Sequence, residues 1–319
     1  MAGDIKNNFS GKDILSLSQF DTSSISTLFK TTDKLIAKMK RGGNLEILKG
    51  RVITLLFFEP SSRTFGSFMA AAKRLGAETI DIQNAAQTGS FVKGETLEDA
   101  VRVFEAYSDL IILRHPEKGS AKRASDLINI PLINGGDGPG DHPTQTLYDL
   151  YTIYKRFGKL SGLKIVAAGD PLHSRTIKSL AKGLSLYGDN TLYVLSPEAL
   201  RMKSSEIQVL QYAGLKIIEI NNENDIPKDA HVWYWNRVQK ERFSSESEYK
   251  KHLGKFILTP KLLKEKGNNH LIILDPLPRV EEIDPTVDAD PRALYLSEQL
   301  KNGLHVRMAI LALVLGGVR

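Results

Sequence analysis

Hydrophobic residues make up 41% and charged residues 25% of the 319-residue chain, a composition typical of a folded globular protein long enough for two domains. The chain has no cysteine, which excludes disulfides, thiolate zinc sites and cysteine nucleophiles. The net charge of +6 could indicate nucleic-acid binding, but the basic residues are spread along the chain without a basic run. We therefore expect a cleft for small anions and no nucleic-acid partner.

The start of the chain lacks the basic and then apolar layout of a signal peptide. The longest apolar run, residues 308–318, is too short to span a bilayer. These patterns predict a cytoplasmic protein without a membrane partner.

Strand and helix patterns alternate through the first half of the chain, which indicates a parallel sheet covered by helices. The predicted elements are, in chain order, a helix at 24–39, a strand from 52, a small-residue helix, a strand at 78–82, a polar loop at 84–94, a helix at 95–107, a strand at 110–114, a helix near 120–128 and a strand at 131–134. The glycine-rich segment 135–143 then ends a first domain, predicted to cover residues 1–141.

The second half repeats this alternation and predicts a second domain at residues 142–293. Its predicted elements are a bridging helix at 142–157, strands at 164–168, 191–195, 215–219, 231–235 and 271–274, intervening helices, a charged mobile loop between the last two strands, and an apolar-faced helix near 294–319. The fold class is therefore predicted as α/β, with two mainly parallel sheets flanked by helices. The bridging helix joins the domains, and the C-terminal helix is expected to pack back on the first domain and complete it.

The segment after Val52 has the build of an anion site, because an apolar strand runs into hydroxyl groups, one arginine and a helix. Ser61, Ser62 and Thr64 can cap that helix, and Arg63 offers a planar fork that suits a phosphoryl group. On the residues alone, a capped surface helix with a solvated arginine remains the alternative.

Two further motifs fall at predicted strand ends, where ligands bind in α/β proteins. Arg114 ends one strand, and His142 and Gln145 begin the bridging helix on one face, three residues apart. His142 acting only as a helix cap, with Gln145 in solvent, is the alternative. Metal-ligand spacing, a Walker phosphate loop and the dinucleotide glycine spacing are missing from the sequence, so we expect neither a metal nor a cofactor.

The stretch FFEPSSRT resembles the carbamoyl-phosphate signature of the aspartate and ornithine carbamoyltransferases. RHP, DGPGDHPTQ, GDPLHSRT, RVQKER and DPLPR follow in the order typical of aspartate carbamoyltransferase catalytic chains, over nearly the whole chain. The ornithine enzymes' His-Cys-Leu-Pro and Ser-Met-Gly motifs are missing from the sequence. Two positions depart from the signature: Ser62 replaces a threonine and keeps the hydroxyl, whereas Phe65 replaces an arginine and is expected to remove a charge from the rim.

The resemblance implies that the chain transfers the carbamoyl group of carbamoyl phosphate to L-aspartate in pyrimidine biosynthesis, with Arg63, Thr64 and His142 as catalytic residues. It assigns carbamoyl phosphate to Ser61, Ser62, Arg63, Thr64, Arg114, His142, Gln145 and the backbone carbonyls of Leu277 and Pro278. It assigns aspartate to Lys93, Arg175, Arg237 and Gln239. A carbamoyltransferase for another amino acid such as ornithine, or a catalytically silent anion-binding protein of the same fold, remains the alternative.

The polar loop 87–96 resembles the family segment that reaches the neighbouring subunit's site. Lys93 matches the family lysine, and Ser90 is the expected substitute for a serine whose usual place is taken by Gly89. The resemblance implies a homotrimer with shared sites, and a separate regulatory chain is a possible further partner. Glu59, beside the predicted anion site, is expected to pair with Arg175 or Arg242.

Overall fold

The structure is a computed structural model that describes residues 4–6, 8–42, 45–87, 89, 91–240, 243–252 and 254–318. The described residues form two parallel sheets flanked by helices, so the predicted α/β class is confirmed. Packing divides the chain into two units. The first holds the residues up to Tyr148 and those from Lys301 onward, and the second holds Asp149–Leu300.

The first unit is built around a four-stranded sheet in the order β2-β1-β3-β4, in which every pairing is parallel. Its strands are β1 (Val52–Phe57), β2 (Glu78–Gln83), β3 (Leu110–His115) and β4 (Leu132–Asp137). Its helices are α1 (Thr22–Lys40), α2 (Ser62–Arg74), α3 (Leu97–Glu105) and α4 (Ser120–Ser125). The apolar runs of β1 and β3 are buried, as parallel strands require when helices cover them. Because β1 and β3 are adjacent and parallel, their carboxyl ends lie side by side.

The second unit has a five-stranded parallel sheet in the order β7-β6-β5-β8-β9. Its strands are β5 (Lys164–Ala168), β6 (Thr191–Leu195), β7 (Lys216–Ile220), β8 (Val232–Trp235) and β9 (Ile272–Leu274). Its helices are α6 (Arg175–Ser185), α7 (Ser204–Tyr212), α8 (Glu246–His252) and α9 (Pro260–Lys266). Trp233 and Trp235 point to one face of the sheet and pack in a core with Val166 and Ile273.

Two helices cross the division between the units. The division falls after Tyr148 inside α5 (Pro143–Phe157) and after Leu300 inside α10 (Glu298–Val314). The sequence places the boundaries seven residues earlier in both cases, at 141 and 293. Beyond the division α10 packs on the first unit, where Arg307 donates to Ser67 at 2.6 Å.

The main differences from the predicted elements lie in the segment 236–270. The charged stretch expected to be a mobile loop contains α8, on which Lys250 and Glu246 form an i,i+4 pair at 3.6 Å. α9 was not predicted from the sequence, although Thr259 caps it by accepting from Leu262 N and Pro260 begins it. In the part of the chain that the structure describes, each helix is too short or too polar to cross a membrane.

Candidate active site

The turn from β1 into α2 places the predicted phosphate residues at the carboxyl end of the first sheet. Ser61 is the N-cap, with φ −158° and ψ 83°, and its carbonyl accepts from Phe65 N at 3.0 Å. Ser62 and Arg63 are exposed in the first turn, whereas Thr64 is buried. This geometry leaves first-turn N–H groups and hydroxyls at a helix N-terminus beside an arginine, which is the build of an anion site.

Phe65, the departure from the family signature, does not lie on the rim of this turn. It is 4% exposed, and its ring meets that of Phe57 edge-to-face at 5.1 Å. The expected loss of a rim charge is therefore accompanied by a gain of core packing between α2 and β1.

Arg114 is the penultimate residue of β3, and its guanidinium contacts two oxygen atoms of its own unit. Its Nη1 donates to the Gly135 carbonyl at 3.1 Å, and its Nη2 lies 3.2 Å from Glu59 Oε2. Burial lowers the pKa of the Arg114 guanidinium, the Glu59 carboxylate opposes that shift, and the charge of Arg63 adds to it. Two guanidiniums and one carboxylate thus share the end of the first sheet. Glu59 pairs with Arg114 here. Arg242, one of the two expected partners of Glu59, lies outside the described residues.

The glycine-rich segment after β4 is a tight turn organised by Asp137. The Asp137 carboxylate accepts from Gly119 N at 2.9 Å and from Asp141 N at 2.8 Å. Gly138 has φ +53°, and a Cβ there would lie 1.9 Å from the Pro116 carbonyl oxygen, so only glycine fits. The turn brings the end of β4 and the start of α5 against the end of β3.

His142 and Gln145 are both 5% exposed at the start of α5, so the alternative of a solvated Gln145 is wrong. The His142 carbonyl accepts from Gln145 N at 3.0 Å and closes the first turn. The Tyr148 hydroxyl donates to Gln145 Oε1 and fixes the orientation of the amide.

In the second unit, Asp170 is a buried hub between the two segments that carry the predicted aspartate arginines. It is 0% exposed, and its carboxylate accepts from His173 N at 3.1 Å and from Gln239 N at 3.3 Å. His173 Nδ1 lies 3.0 and 3.1 Å from the two carboxylate oxygens. Arg175 follows two residues after His173, at the start of α6. Asp170 therefore fixes the Arg175 turn and the Gln239 segment with one side chain.

A second tie joins the same two segments through Asn236, which precedes Arg237. Asn236 Nδ2 donates to Thr176 Oγ1 at 2.9 Å. Gly169 packs so closely that a Cβ there would lie 1.9 Å from the Asn236 carbonyl oxygen. The backbone around Arg175 and Arg237 is consequently held in one arrangement.

Arg237 lines a cleft that is open to solvent. Tyr249, Lys255 and Glu282 also line it. Glu282 is 8% exposed, and its Oε2 accepts from Val280 N and Glu281 N, both at 2.9 Å. The cleft therefore combines cationic and anionic groups next to the predicted aspartate arginine.

Leu277 and Pro278 lie in the loop after β9, joined by a cis peptide bond, with Leu277 at φ 58°. Asp275 Oδ1 accepts from Leu277 N at 2.5 Å, and Asp275 N donates to Gln299 Oε1 at 3.1 Å. Gln299 in turn donates to the buried Asp149 at 2.7 Å. This buried polar chain fixes the backbone whose carbonyls are predicted to face the carbamoyl group.

Lys93 is exposed in the loop between β2 and α3, and Ser90 lies outside the described residues. Within the described ranges, no group of three His, Asp or Glu side chains is placed to hold a metal ion. Four buried polar residues of this framework, Asp137, Asp149, Asp170 and Gln299, were not predicted from the sequence. Asp137 and Asp170 lie inside the motifs DGPGDHPTQ and GDPLHSRT, where the sequence does not show which backbone groups they bind, and Asp149 and Gln299 belong to no motif.

The comparisons with known proteins extend over both units. Residues 12–155 match the family model "Aspartate/ornithine carbamoyltransferase, carbamoyl-P binding domain", and residues 161–314 match "Aspartate/ornithine carbamoyltransferase, Asp/Orn binding domain". The chain is 43% identical to the aspartate carbamoyltransferase catalytic subunit of Thermococcus gammatolerans, over 97% of this chain and 99% of that protein. It is 42% identical to aspartate carbamoyltransferase 1, chloroplastic, of Pisum sativum, over 96% of this chain and 79% of that protein.

Solved structures are similar over the same extent. The catalytic subunit of M. jannaschii aspartate transcarbamoylase has a TM-score of 0.87 at 39% identity, with 94% of this chain and 96% of that chain covered. Aspartate transcarbamoylase from Trypanosoma cruzi in complex with N-(phosphonacetyl)-L-aspartic acid has a TM-score of 0.90 at 35% identity, with 98% of both chains covered.

Proposed function

Because the chain belongs to the aspartate/ornithine carbamoyltransferase family, we propose that it transfers the carbamoyl group of carbamoyl phosphate to L-aspartate. The products are N-carbamoyl-L-aspartate and phosphate, a step of pyrimidine biosynthesis. The observation that carries the proposal is identity of 43% to a protein named as an aspartate carbamoyltransferase catalytic subunit, over 97% of the chain. Asp275-Pro276-Leu277-Pro278 in place of the ornithine enzymes' His-Cys-Leu-Pro favours aspartate over ornithine.

Carbamoyl phosphate is assigned to the first unit and to the loop after β9. Ser61, Ser62, Arg63 and Thr64 bind the phosphate at the start of α2, where the N–H groups and the helix dipole favour an anion. Arg114 assists, and the ligand competes with Glu59 for its guanidinium. His142 and Thr64 face the carbonyl oxygen. The carbamoyl NH2 donates to Gln145 Oε1 and to the carbonyls of Leu277 and Pro278.

Aspartate is assigned to Arg175, Arg237 and Gln239, with Lys93 from a neighbouring copy. The two arginines bind the two carboxylates of the substrate in bidentate geometry, for which a guanidinium is better suited than an ammonium group. The hub at Asp170 supports this assignment, because it accepts from both segments that carry these residues.

The reaction is attack of the neutral α-amine of aspartate on the carbamoyl carbon. A C–N bond forms, the carbonyl becomes a tetrahedral oxyanion, and the C–O bond to phosphate then breaks with its electron pair going to phosphate. The proton lost by the amine goes to the departing phosphate. Arg63, Thr64 and His142 stabilise the charges that develop on the oxyanion and the leaving group.

A homotrimer with shared sites completes the proposal, in which Ser90 and Lys93 reach the site of the neighbouring copy. A regulatory chain is a further candidate partner. The predicted cytoplasmic location stays a prediction, because relatives of similar identity include an enzyme named as chloroplastic.

The test is a product assay with the purified chain, carbamoyl phosphate and a panel of amines that includes aspartate and ornithine. We expect carbamoyl-aspartate and no citrulline. Citrulline as the main product would show that the amine substrate is ornithine and not aspartate. Phosphate binding without any carbamoylated product would identify a silent anion-binding protein.

A further inference from the structure

Phe91, two residues before Lys93, packs its ring against the core of the first unit. The Phe91 ring meets the Phe58 ring edge-to-face at 4.8 Å and 74°. The Phe58 ring in turn meets the His115 ring at 4.8 Å and 63°. Phe58 directly follows β1 and His115 ends β3, so Phe91 packs on a ring at the end of β1 that itself contacts the end of the adjacent strand.

The residues after Phe91 point away from that sheet. Gly94 N donates to the Phe91 carbonyl at 3.0 Å and closes a short turn. Within the turn Val92 is 66% exposed and Lys93 is exposed, whereas Phe91 is half-buried. Phe91 therefore anchors the turn, and Val92 and Lys93 form its exposed tip.

Glycine lies on both sides of this tip. Gly89 and Gly94 have φ of +60° and +96°, and glycine backbone has the widest choice of conformations. Ordering a lysine side chain also costs rotamer freedom, so a lysine on a loosely held turn is poorly prepared to bind. The edge-to-face contact of Phe91 with Phe58 opposes this freedom.

We propose that Phe91 is the positioning residue of the shared site: its ring on Phe58 sets the direction in which Lys93 enters the active site of a second copy of the chain. The inference rests on the proposed function, since it requires that Lys93 act in the neighbouring site. It assigns to Phe91 an effect on the neighbour's turnover and none on carbamoyl-phosphate binding by its own chain.

The first test compares Phe91→Ala with Phe91→Tyr, which keeps the ring, and with Val92→Ala, which removes an exposed apolar side chain from the same turn. We expect kcat/KM for aspartate to fall about tenfold in Phe91→Ala, and to stay within about twofold of the parent in the other two variants. Phosphate affinity and the thermal midpoint should be retained. Full activity of Phe91→Ala, or an equal loss in Val92→Ala, would overturn the proposal.

Hybrids made by co-expression of two differently tagged chains give the second test. In a mixed trimer of Arg63→Ala and Lys93→Ala chains, one site collects both intact residues, so activity should return to about a third of the parent. Phe91→Ala should behave like Lys93→Ala: it recovers activity with Arg63→Ala chains and does not recover it with Lys93→Ala chains.

The outcomes separate this inference from the proposed function. Recovery with Lys93→Ala chains but not with Arg63→Ala chains would place the action of Phe91 in its own chain's site and overturn the inference alone. No recovery in Arg63→Ala/Lys93→Ala hybrids would overturn the shared site and the role of Phe91 with it. Carbamoyl-aspartate formation by the parent tests the proposed reaction independently of either result.

Discussion

Arg114 Nη2 lies 3.2 Å from Glu59 Oε2, so the guanidinium assigned to the substrate phosphate is ion-paired with a carboxylate. Glu59 follows β1 by two residues and Arg114 lies at the end of the adjacent strand, which makes the contact a direct result of parallel pairing. The Arg114 side chain is 12% exposed and therefore only weakly screened by solvent. We infer that Glu59 competes with the substrate phosphate for the Arg114 guanidinium.

Replacing this carboxylate should strengthen anion binding. In Glu59→Gln the competing charge is gone while the side-chain shape is kept, and we expect the Kd for inorganic phosphate to decrease about threefold to tenfold. Isothermal titration at low salt measures it. The matched control is Glu117→Gln, because Glu117 is exposed and pairs with Arg123 at 2.9 Å. Unchanged or weaker phosphate binding in Glu59→Gln would contradict the inference that Glu59 and phosphate compete for Arg114.

Arg237→Ala should separate the two substrates. The variant loses one charge-assisted, bidentate interaction with aspartate, and we expect KM for aspartate to rise about 10- to 100-fold. KM for carbamoyl phosphate should stay near the parent value, because its assigned ligands are other residues. Arg201→Ala is the control, since Arg201 lies 3.9 Å from Glu219 and is outside the assigned site. A comparable rise for both substrates would remove Arg237 from the aspartate site.

Asp170→Asn should affect aspartate use and stability together. The amide keeps an acceptor but loses the charge that binds His173 and Gln239 N, so the free energy of unfolding should decrease by about 1–3 kcal/mol. We expect kcat/KM for aspartate to fall at least about tenfold with unchanged KM for carbamoyl phosphate. Steady-state kinetics and urea titration measure these effects. Asp229→Asn, at an exposed carboxylate that pairs with Lys164, is the control. Lower stability with unchanged kinetics would leave Asp170 a structural residue only.

His305 should make the fold sensitive to mild acid. Burial lowers the pKa of the His305 imidazole, and the charges of Arg74, Lys301 and Lys40 add to the shift. The folded protein then binds fewer protons than the unfolded chain once the pH falls below about 6.5, so the free energy of unfolding decreases with pH in that window.

Urea unfolding at about pH 7.5 and about pH 5.5 tests this sign. In His305→Gln the decrease on acidification should be smaller than in the parent, by up to about 1 kcal/mol. His270→Gln changes an exposed histidine and is the control. Its free energy of unfolding should decrease on acidification as much as that of the parent. An equal decrease of the free energy of unfolding in the parent and in His305→Gln would refute the role of His305 in the acid sensitivity.

The alternating strands and helices could be predicted, and the motifs identified, because each is a local pattern of the sequence. The strands 164–168 and 191–195 coincide with β5 and β6 for that reason. Non-local contacts were not predictable. The sequence shows that Phe65 replaces an arginine, but only the fold shows its ring against Phe57. Likewise, strand pairing decides that Arg114 reaches Glu59, and Asp170 joins segments 69 residues apart.

The most direct test of the account is a crystal structure of the chain with N-(phosphonacetyl)-L-aspartic acid, which joins a phosphonate to an aspartate. We predict the phosphonate at Ser61–Thr64 and Arg114, and one carboxylate each at Arg175 and Arg237. A fully occupied ligand bound without contact to Arg63, Arg175 and Arg237 would contradict the central claim.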